Sequence, residues 1–103
     1  MIYEVTVSIA KHREQEWLSW IVVHVQDILT TGCFSSADIE VVEDAEHPTY
    51  VVRYHYTSTS QYTNYVENFA AKFRSDGVAL FGNDMQASRR LLSTINQLSA
   101  KRI

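Results

Sequence analysis

The segment EWLSWIVVHVQDILTTGCF, residues 16–34, decides how the chain divides into helix and strand. Trp17, Ile21, His24 and Ile28 recur at i, i+4, i+7 and i+11, which is the spacing of one helix face. Gly32 stands where a helix C-terminal cap is expected. We therefore predict a first helix over about residues 12–31, with a histidine inside its apolar stripe.

Alternating segments flank this helix. Apolar residues occupy the odd positions from Tyr3 to Ile9 and polar residues the even ones, which is the period of a half-buried strand. Two further extended segments, residues 34–43 and 49–57, are separated by an acidic turn that ends at Pro48. These segments predict a first strand and a later hairpin.

A second helical period follows the hairpin. It carries a stripe of large apolar residues, with capping candidates at residues 58–60 and a predicted end at Gly77. A loop is then expected through residue 84. Residues 85–92 fit a last strand, although the sequence from residue 88 onwards also fits the beginning of a helix.

The element order β-α-β-β-α-β predicts a ferredoxin-like α+β domain with a four-stranded antiparallel sheet and two helices on one face. Residues 1–93 form this domain and residues 94–103 a C-terminal tail. Glu4, Thr6, Arg53 and His55 then lie on the face of the sheet that carries no helix, here called the open face. Such a face either meets water or packs against a second sheet in a dimer.

The segments MIYEVTV, EWLSWIVVHVQDILTTGCF and YVVRYHYTSTSQYTNYVENFAAKFRSDGVALFGNDM together resemble the uncharacterised DUF4286 family. The motif through His24, Thr31, Gly32 and Phe34 carries the resemblance, which covers about residues 1–92. Members often have proline shortly after the histidine, where this chain has Val25 and Gln26. The family in turn resembles the dimeric α/β-barrel superfamily. That resemblance implies a homodimer of face-to-face sheets and a pocket between sheet and helices.

Composition excludes several classes of function. The formal charge of −3 argues against a nucleic-acid partner, which needs clustered Lys and Arg. No segment approaches the roughly 18 apolar residues of a membrane span. Cys33 is the only cysteine, so an intrachain disulfide cannot form, and a reducing, cytoplasmic location is expected. No H-x-H or H-x-x-x-H spacing supports a metal site, and neither metal nor cofactor is predicted.

His24 and His55 are the candidate catalytic residues, because an imidazole transfers protons near neutral pH. His24 is either a packed histidine, hydrogen bonded to Asp27 or to a backbone carbonyl, or an acid, base or ligand donor in a pocket. Arg53 and His55 are either solvated strand residues or partners in a dimer, and Glu4 can neutralise Arg53 across the strands. The candidate ligand-binding residues are Trp17, Trp20, His24, Arg53 and His55.

Two functional classes stay open. The first is a homodimeric protein that binds or transforms a small organic ligand, either as a binder or as a cofactor-free enzyme like related barrel monooxygenases and isomerases. The second is a non-catalytic dimerisation or regulatory module. The sequence shows no nucleophile-base-orienter triad and no phosphate-binding loop, so it does not decide whether the protein is an enzyme.

Overall fold

Four segments with alternating side chains form one antiparallel sheet in the computed structural model, which describes residues 1–101. The strands are β1 (Ile2–Ile9), β2 (Ser36–Val41), β3 (Thr49–His55) and β4 (Met85–Leu92). Their order in space is β2-β3-β1-β4, so β1 and β3 are central. The predicted ferredoxin-like α+β plan is confirmed, including the last strand.

Strand register determines which side chains share a face. Glu4 of β1 pairs with Arg53 of β3 and with Arg90 of β4, and all three point to the open face. The next residue of β1, Val5, pairs with Arg89 and points to the helices. Arg89 and Arg90 are neighbours in sequence and therefore lie on opposite faces of the sheet.

Helix α1 (Glu14–Leu29) follows a short 3-10 turn and lies against the sheet. Its buried residues are Trp17, Ile21, Val25 and Ile28, at helical spacing. Gly32 adopts a φ of 77° just beyond the helix, a conformation that favours glycine. The first helix is thus confirmed, with its bounds displaced by about two residues from the predicted ones, as helix ends commonly are.

The second helical segment differs from the prediction. It consists of two helices, α2 (Thr59–Asn68) and α3 (Ala70–Phe81), separated at Phe69, where φ is −132° and ψ is −34°. The prediction that the helix ends at Gly77 and is followed by a loop was wrong. The helix ends instead at Gly82, with a φ of 49°.

Close packing explains the glycine inside α3. A Cβ atom at Gly77 would lie 3.1 Å from Met85 Cε and 3.2 Å from Trp20 Cη2. Gly77 therefore permits α3 to approach α1 and β4, at a cost in helix propensity of about 1 kcal/mol relative to alanine. Because a glycine inside a helix and a glycine beyond its end look alike in a sequence, the pattern alone did not separate them.

The core is aromatic at one end of the sheet. The Tyr3 side chain is 2% exposed, and its ring centroid lies 5.5 Å from that of Tyr54, 5.9 Å from Phe34 and 5.8 Å from Tyr65. Aromatic pairs of this kind contribute about 0.5–1.5 kcal/mol each beyond the area that they bury. This cluster fixes the ends of β1 and β3 against α2.

The helices cover the sheet unevenly. Val52 of β3 is 1% exposed, whereas Val5 of β1 is only half-buried. On the helix side of β4, Ala87 and Arg89 are both exposed. The uncovered part of the sheet along β1 and β4 leaves a cleft beneath the helices.

The chain beyond β4 has no helix or strand over residues 93–101. The predicted tail, residues 94–103, includes residues 102–103, which lie outside the described part of the chain. Within residues 1–101, no helix has both the length and the apolar character to cross a membrane.

Gly82→Ala should lower the free energy of unfolding by about 1–3 kcal/mol, because φ 49° with ψ −127° is nearly closed to residues that carry a Cβ. No atom lies within 4 Å of the added Cβ, so the cost is conformational rather than steric. Urea unfolding of Gly82→Ala beside Asn83→Ala measures it. Equal stability of the two variants would contradict the assignment of Gly82 as the helix terminator.

Candidate functional site

A cleft of about 50 Å³ lies between the sheet and the helices α1 and α3. Val5, Val7 and Ala87 line it from the sheet, and Trp20 and Phe73 line it from the helices. One water molecule needs roughly 10–15 Å³ of such volume. The cleft therefore admits a group of a few non-hydrogen atoms and has mostly apolar walls.

Trp17 lines the same cleft from α1. The side chain is 0% exposed, and its ring centroid lies 4.9 Å from that of Tyr50. Its Nε1–H is buried and has no hydrogen-bond acceptor in the described part of the protein. Buried donors are rarely left unpaired, so this N–H is an exception among the described residues.

His24 is held by aromatic contacts. Its ring stacks on Trp20 one turn earlier, with centroids 4.2 Å apart, and meets the edge of Phe73 of α3 at 5.6 Å. The interpretation of His24 as a packed histidine expects a hydrogen bond to Asp27 or to a backbone carbonyl. Within residues 1–101, the ring forms neither of these hydrogen bonds. Stacking, rather than a hydrogen bond, orients this imidazole along the cleft wall.

Burial lowers the pKa of His24 below its usual value of 6.5, because the charged imidazolium loses its hydration. Asp76 and Asp27 act in the opposite direction through their negative charges. The imidazole is therefore predominantly neutral near pH 7. A neutral imidazole in a cleft wall can accept a proton or donate a hydrogen bond.

Two arginines also line the cleft, Arg74 from α3 and Arg89 from β4. Arg74 Nη2 donates to the Tyr3 hydroxyl at 3.3 Å, and its Nε is buried without an acceptor in the described chain. Burial raises the pKa of both Tyr54 and Tyr65, so their hydroxyls stay protonated. Tyr3 and Tyr54 line the cleft together with the two arginines, whereas Tyr65 is not part of the lining.

The other predicted site residues lie elsewhere. Arg53 and His55 are on the open face, as the sequence predicted, so the sheet separates them from the cleft. Arg53 Nη1 lies 3.6 Å from Glu4, and His55 Nε2 lies 2.9 Å from Asp38 Oδ2. Of the five candidate ligand-binding residues, the structure brings together Trp17, Trp20 and His24 and leaves these two apart.

Glu4 is the centre of an ion-pair network on the open face. The residue is 5% exposed, and Arg90 Nε donates to its Oε1 at 2.9 Å. Arg53 reaches the same carboxylate and also lies 3.8 Å from Glu40. A buried carboxylate needs such partners, since an unpaired one would cost several kcal/mol. The expected neutralisation of Glu4 by Arg53 is therefore present, with Arg90 as a second partner.

Sequence reasoning missed Arg74 and Arg89 as cleft residues. The signal for Arg89 was the parity of β4, which places it with Met85 and Ala87. In an alternating strand, however, a charged residue usually lies on the face that meets solvent. The sequence therefore did not favour placing Arg89 on the helix side. Arg74 belongs to the helix that was predicted, but its direction depends on the break at Phe69.

Within residues 1–101, no group of three or more His, Cys, Asp or Glu side chains is arranged to hold a metal ion. Cys33 is 1% exposed and lies 3.5 Å from Asn64 Nδ2, so it is a packed residue at the end of α1. The reducing compartment inferred from this lone cysteine stays a prediction.

The chain is similar to known proteins in sequence family and in fold. A family model described as "Domain of unknown function (DUF4286)" matches residues 1–95. No curated protein matches the chain. Among solved structures, the de novo designed protein Foldit4 has a TM-score of 0.61 at 11% identity, with 90% of this chain and 96% of that chain covered.

A second solved structure is described as a putative antibiotic biosynthesis monooxygenase from Deinococcus radiodurans. Its TM-score is 0.56 at 13% identity, with 97% of this chain and 100% of that chain covered. At such identities the likeness concerns the fold alone. The predicted ferredoxin-like fold is therefore shared with this structure.

The stability of the protein should fall as the pH drops below about 6.5, because the unfolded His24 takes up a proton that the folded one resists. The loss is complete once the pH falls below the lowered folded pKa. One such proton gives a slope of at most about 1.4 kcal/mol per pH unit. Urea unfolding between about pH 7 and 5 should show a shallower slope for His24→Asn than for the wild type.

His47→Asn is the control for this comparison, because His47 is exposed on the β2–β3 loop. It should leave the pH slope close to that of the wild type. If His24→Asn and the wild type lose stability in parallel, the buried, neutral state of His24 is refuted.

Proposed function

The chain belongs to the DUF4286 family, whose function is unknown, and we propose that it binds a small organic ligand in the cleft between its sheet and its helices. The observation that carries the proposal is the pair of buried, unpartnered donors, Trp17 Nε1 and Arg74 Nε, in the described chain. Both residues line the cleft. A mostly apolar cleft with a few convergent polar groups is the usual form of a small-molecule site.

His24 is the group that would move a proton if the bound molecule reacts. Its imidazole is neutral near pH 7 and is fixed between Trp20 and Phe73, so it is prepared to accept a proton from a ligand beside it. Chemistry without a cofactor needs little more than orientation and such a transfer. Binding alone requires only the cleft, and the enzymatic form of the proposal adds His24 as base.

A homodimer through the open face is the second proposal. Across the strands, Asp38, Arg53, Glu4 and Arg90 form one row that alternates between acid and base. If the two open faces are related by a two-fold axis parallel to the strands, the partner's row lies over this row in the opposite order. Each acid would then face a base, with Asp38 opposite the partner's Arg90 and Arg53 opposite the partner's Glu4. An axis perpendicular to the strands would instead place like charges together.

Filling the cleft tests the binding proposal. A fragment library of small aromatic acids, amines and neutral molecules can be screened by protein-observed NMR. A fragment that binds in the cleft should shift the signal of the Trp17 indole N–H. Ala87→Phe places a ring on the cleft floor and should weaken any hit by about tenfold or more. Ala71→Phe adds the same ring to an exposed α3 position outside the cleft and should not. If no fragment in the library binds more weakly to Ala87→Phe than to the wild type, binding in this cleft is refuted.

Charge reversal tests the dimer. Sedimentation should give about twice the 11.8 kDa chain mass. Asp38→Lys should raise the dimer dissociation constant on the order of tenfold, because the new lysine would oppose the partner's Arg90. Glu43→Lys makes the same charge change outside the row and should leave the constant within about twofold. A monomer at micromolar concentration would refute this assembly.

A further inference from the structure

The arginines of the described chain divide into two groups. Arg13, Arg53 and Arg90 each form at least one ion pair with a carboxylate. Within residues 1–101, Arg74 and Arg89 form none. The two that lack an acidic partner are the two that line the cleft.

The charge of the cleft is opposite to that of the protein. The chain has a formal charge of −3, yet no Asp or Glu lines the cleft in the described part of the molecule. Its ionisable lining consists of the two arginines, His24 and tyrosine hydroxyls. Cations without counter-charges in a partly enclosed, low-dielectric cleft attract anions more strongly than they would in water.

We propose that the cleft recognises the carboxylate of a small monocarboxylic acid, with Arg74 and Arg89 binding the carboxylate and the apolar walls holding its hydrocarbon part. This inference rests on the proposed binding function and names the class of its ligand. A guanidinium presents parallel N–H groups that match the two oxygens of a carboxylate.

The two arginines reach the cleft from different elements. Arg89 belongs to β4, where it pairs with Val5, and Arg74 reaches from α3 to the Tyr3 hydroxyl. A carboxylate in the cleft would therefore be offered guanidinium donors from a strand and from a helix.

The remaining walls indicate the rest of the molecule. Away from the arginines the cleft is bounded by Trp20, Gly77 and Met85, which meet in close contact. A volume of about 50 Å³ accepts a short hydrocarbon chain, and a ring requires the flexible end of Met85 to move. The mostly apolar walls favour a singly charged carboxylate over a phosphate, because a phosphate carries more charge and more oxygens to remove from water.

Matched acids and amides test the proposal. The affinities of butyrate, benzoate, butyramide and benzamide can be measured by NMR titration of the Trp17 and Arg side-chain signals. Each acid should bind at least about tenfold more tightly than its amide. Equal binding of acids and amides would overturn recognition by charge while leaving the binding function intact. Inorganic phosphate that binds more tightly than both acids would overturn the carboxylate assignment.

Substitutions assign the effect to the two arginines. Arg89→Met and Arg74→Met should each weaken benzoate binding on the order of tenfold, and Arg89→Lys should recover only part of the loss, because lysine keeps the charge but not the fork. Lys72→Met removes one positive charge from α3 outside the cleft and should change affinity by less than about twofold. The proposal is overturned if Lys72→Met loses as much affinity for benzoate as the arginine variants, or if neither acid binds. The fragment screen tests the binding function separately.

Discussion

The contact of Gly77 with Trp20 and Met85 controls how α3 lies over the rest of the domain. A Cβ at this position would lie 3.1–3.2 Å from both side chains, so any other residue would require Trp20 or Met85 to shift by a few tenths of an ångström. The helix can then continue to Phe81, whose ring centroid lies 5.3 Å from that of Trp20. The approach of α3 also brings Phe73 into perpendicular contact with His24 and brings Arg74 to Tyr3. The roof of the cleft thus depends on one residue without a side chain.

Much of the fold could be predicted because its signals are local. Alternation in β1 and β3 gave their faces, and the helical spacing from Trp17 to Ile28 gave the buried side of α1. The prediction of a histidine inside that stripe agrees with the position of His24, whose ring stacks on Trp20 one turn earlier. The end of α3 could not be predicted, because the meaning of Gly77 depends on side chains that are distant in sequence. The shared position of Arg74 and Arg89 in the cleft lining could not be predicted either, because it depends on how α3 packs against β4.

The two faces of the sheet treat charge in different ways. On the open face, Arg90 stabilises the buried carboxylate of Glu4, so its position has a structural reason. On the helix face, Arg89 lies beside Val5 and forms no ion pair within the described residues. Stability of the isolated chain does not require a cation there, since an apolar residue would cover Val5 better. A position that folding leaves unexplained is where functional constraints are expected.

Burial links the two kinds of polar group in the cleft. Removal from water lowers the pKa of His24, because the imidazolium loses more solvation than the neutral ring. The half-buried Arg74 and the exposed Arg89 line the same cleft, and no carboxylate of the described cleft lining neutralises either charge. The site thus keeps its imidazole uncharged while it keeps two guanidiniums charged, because arginine does not lose its proton in proteins. The lining of one cleft therefore combines a neutral imidazole with two charged guanidinium groups.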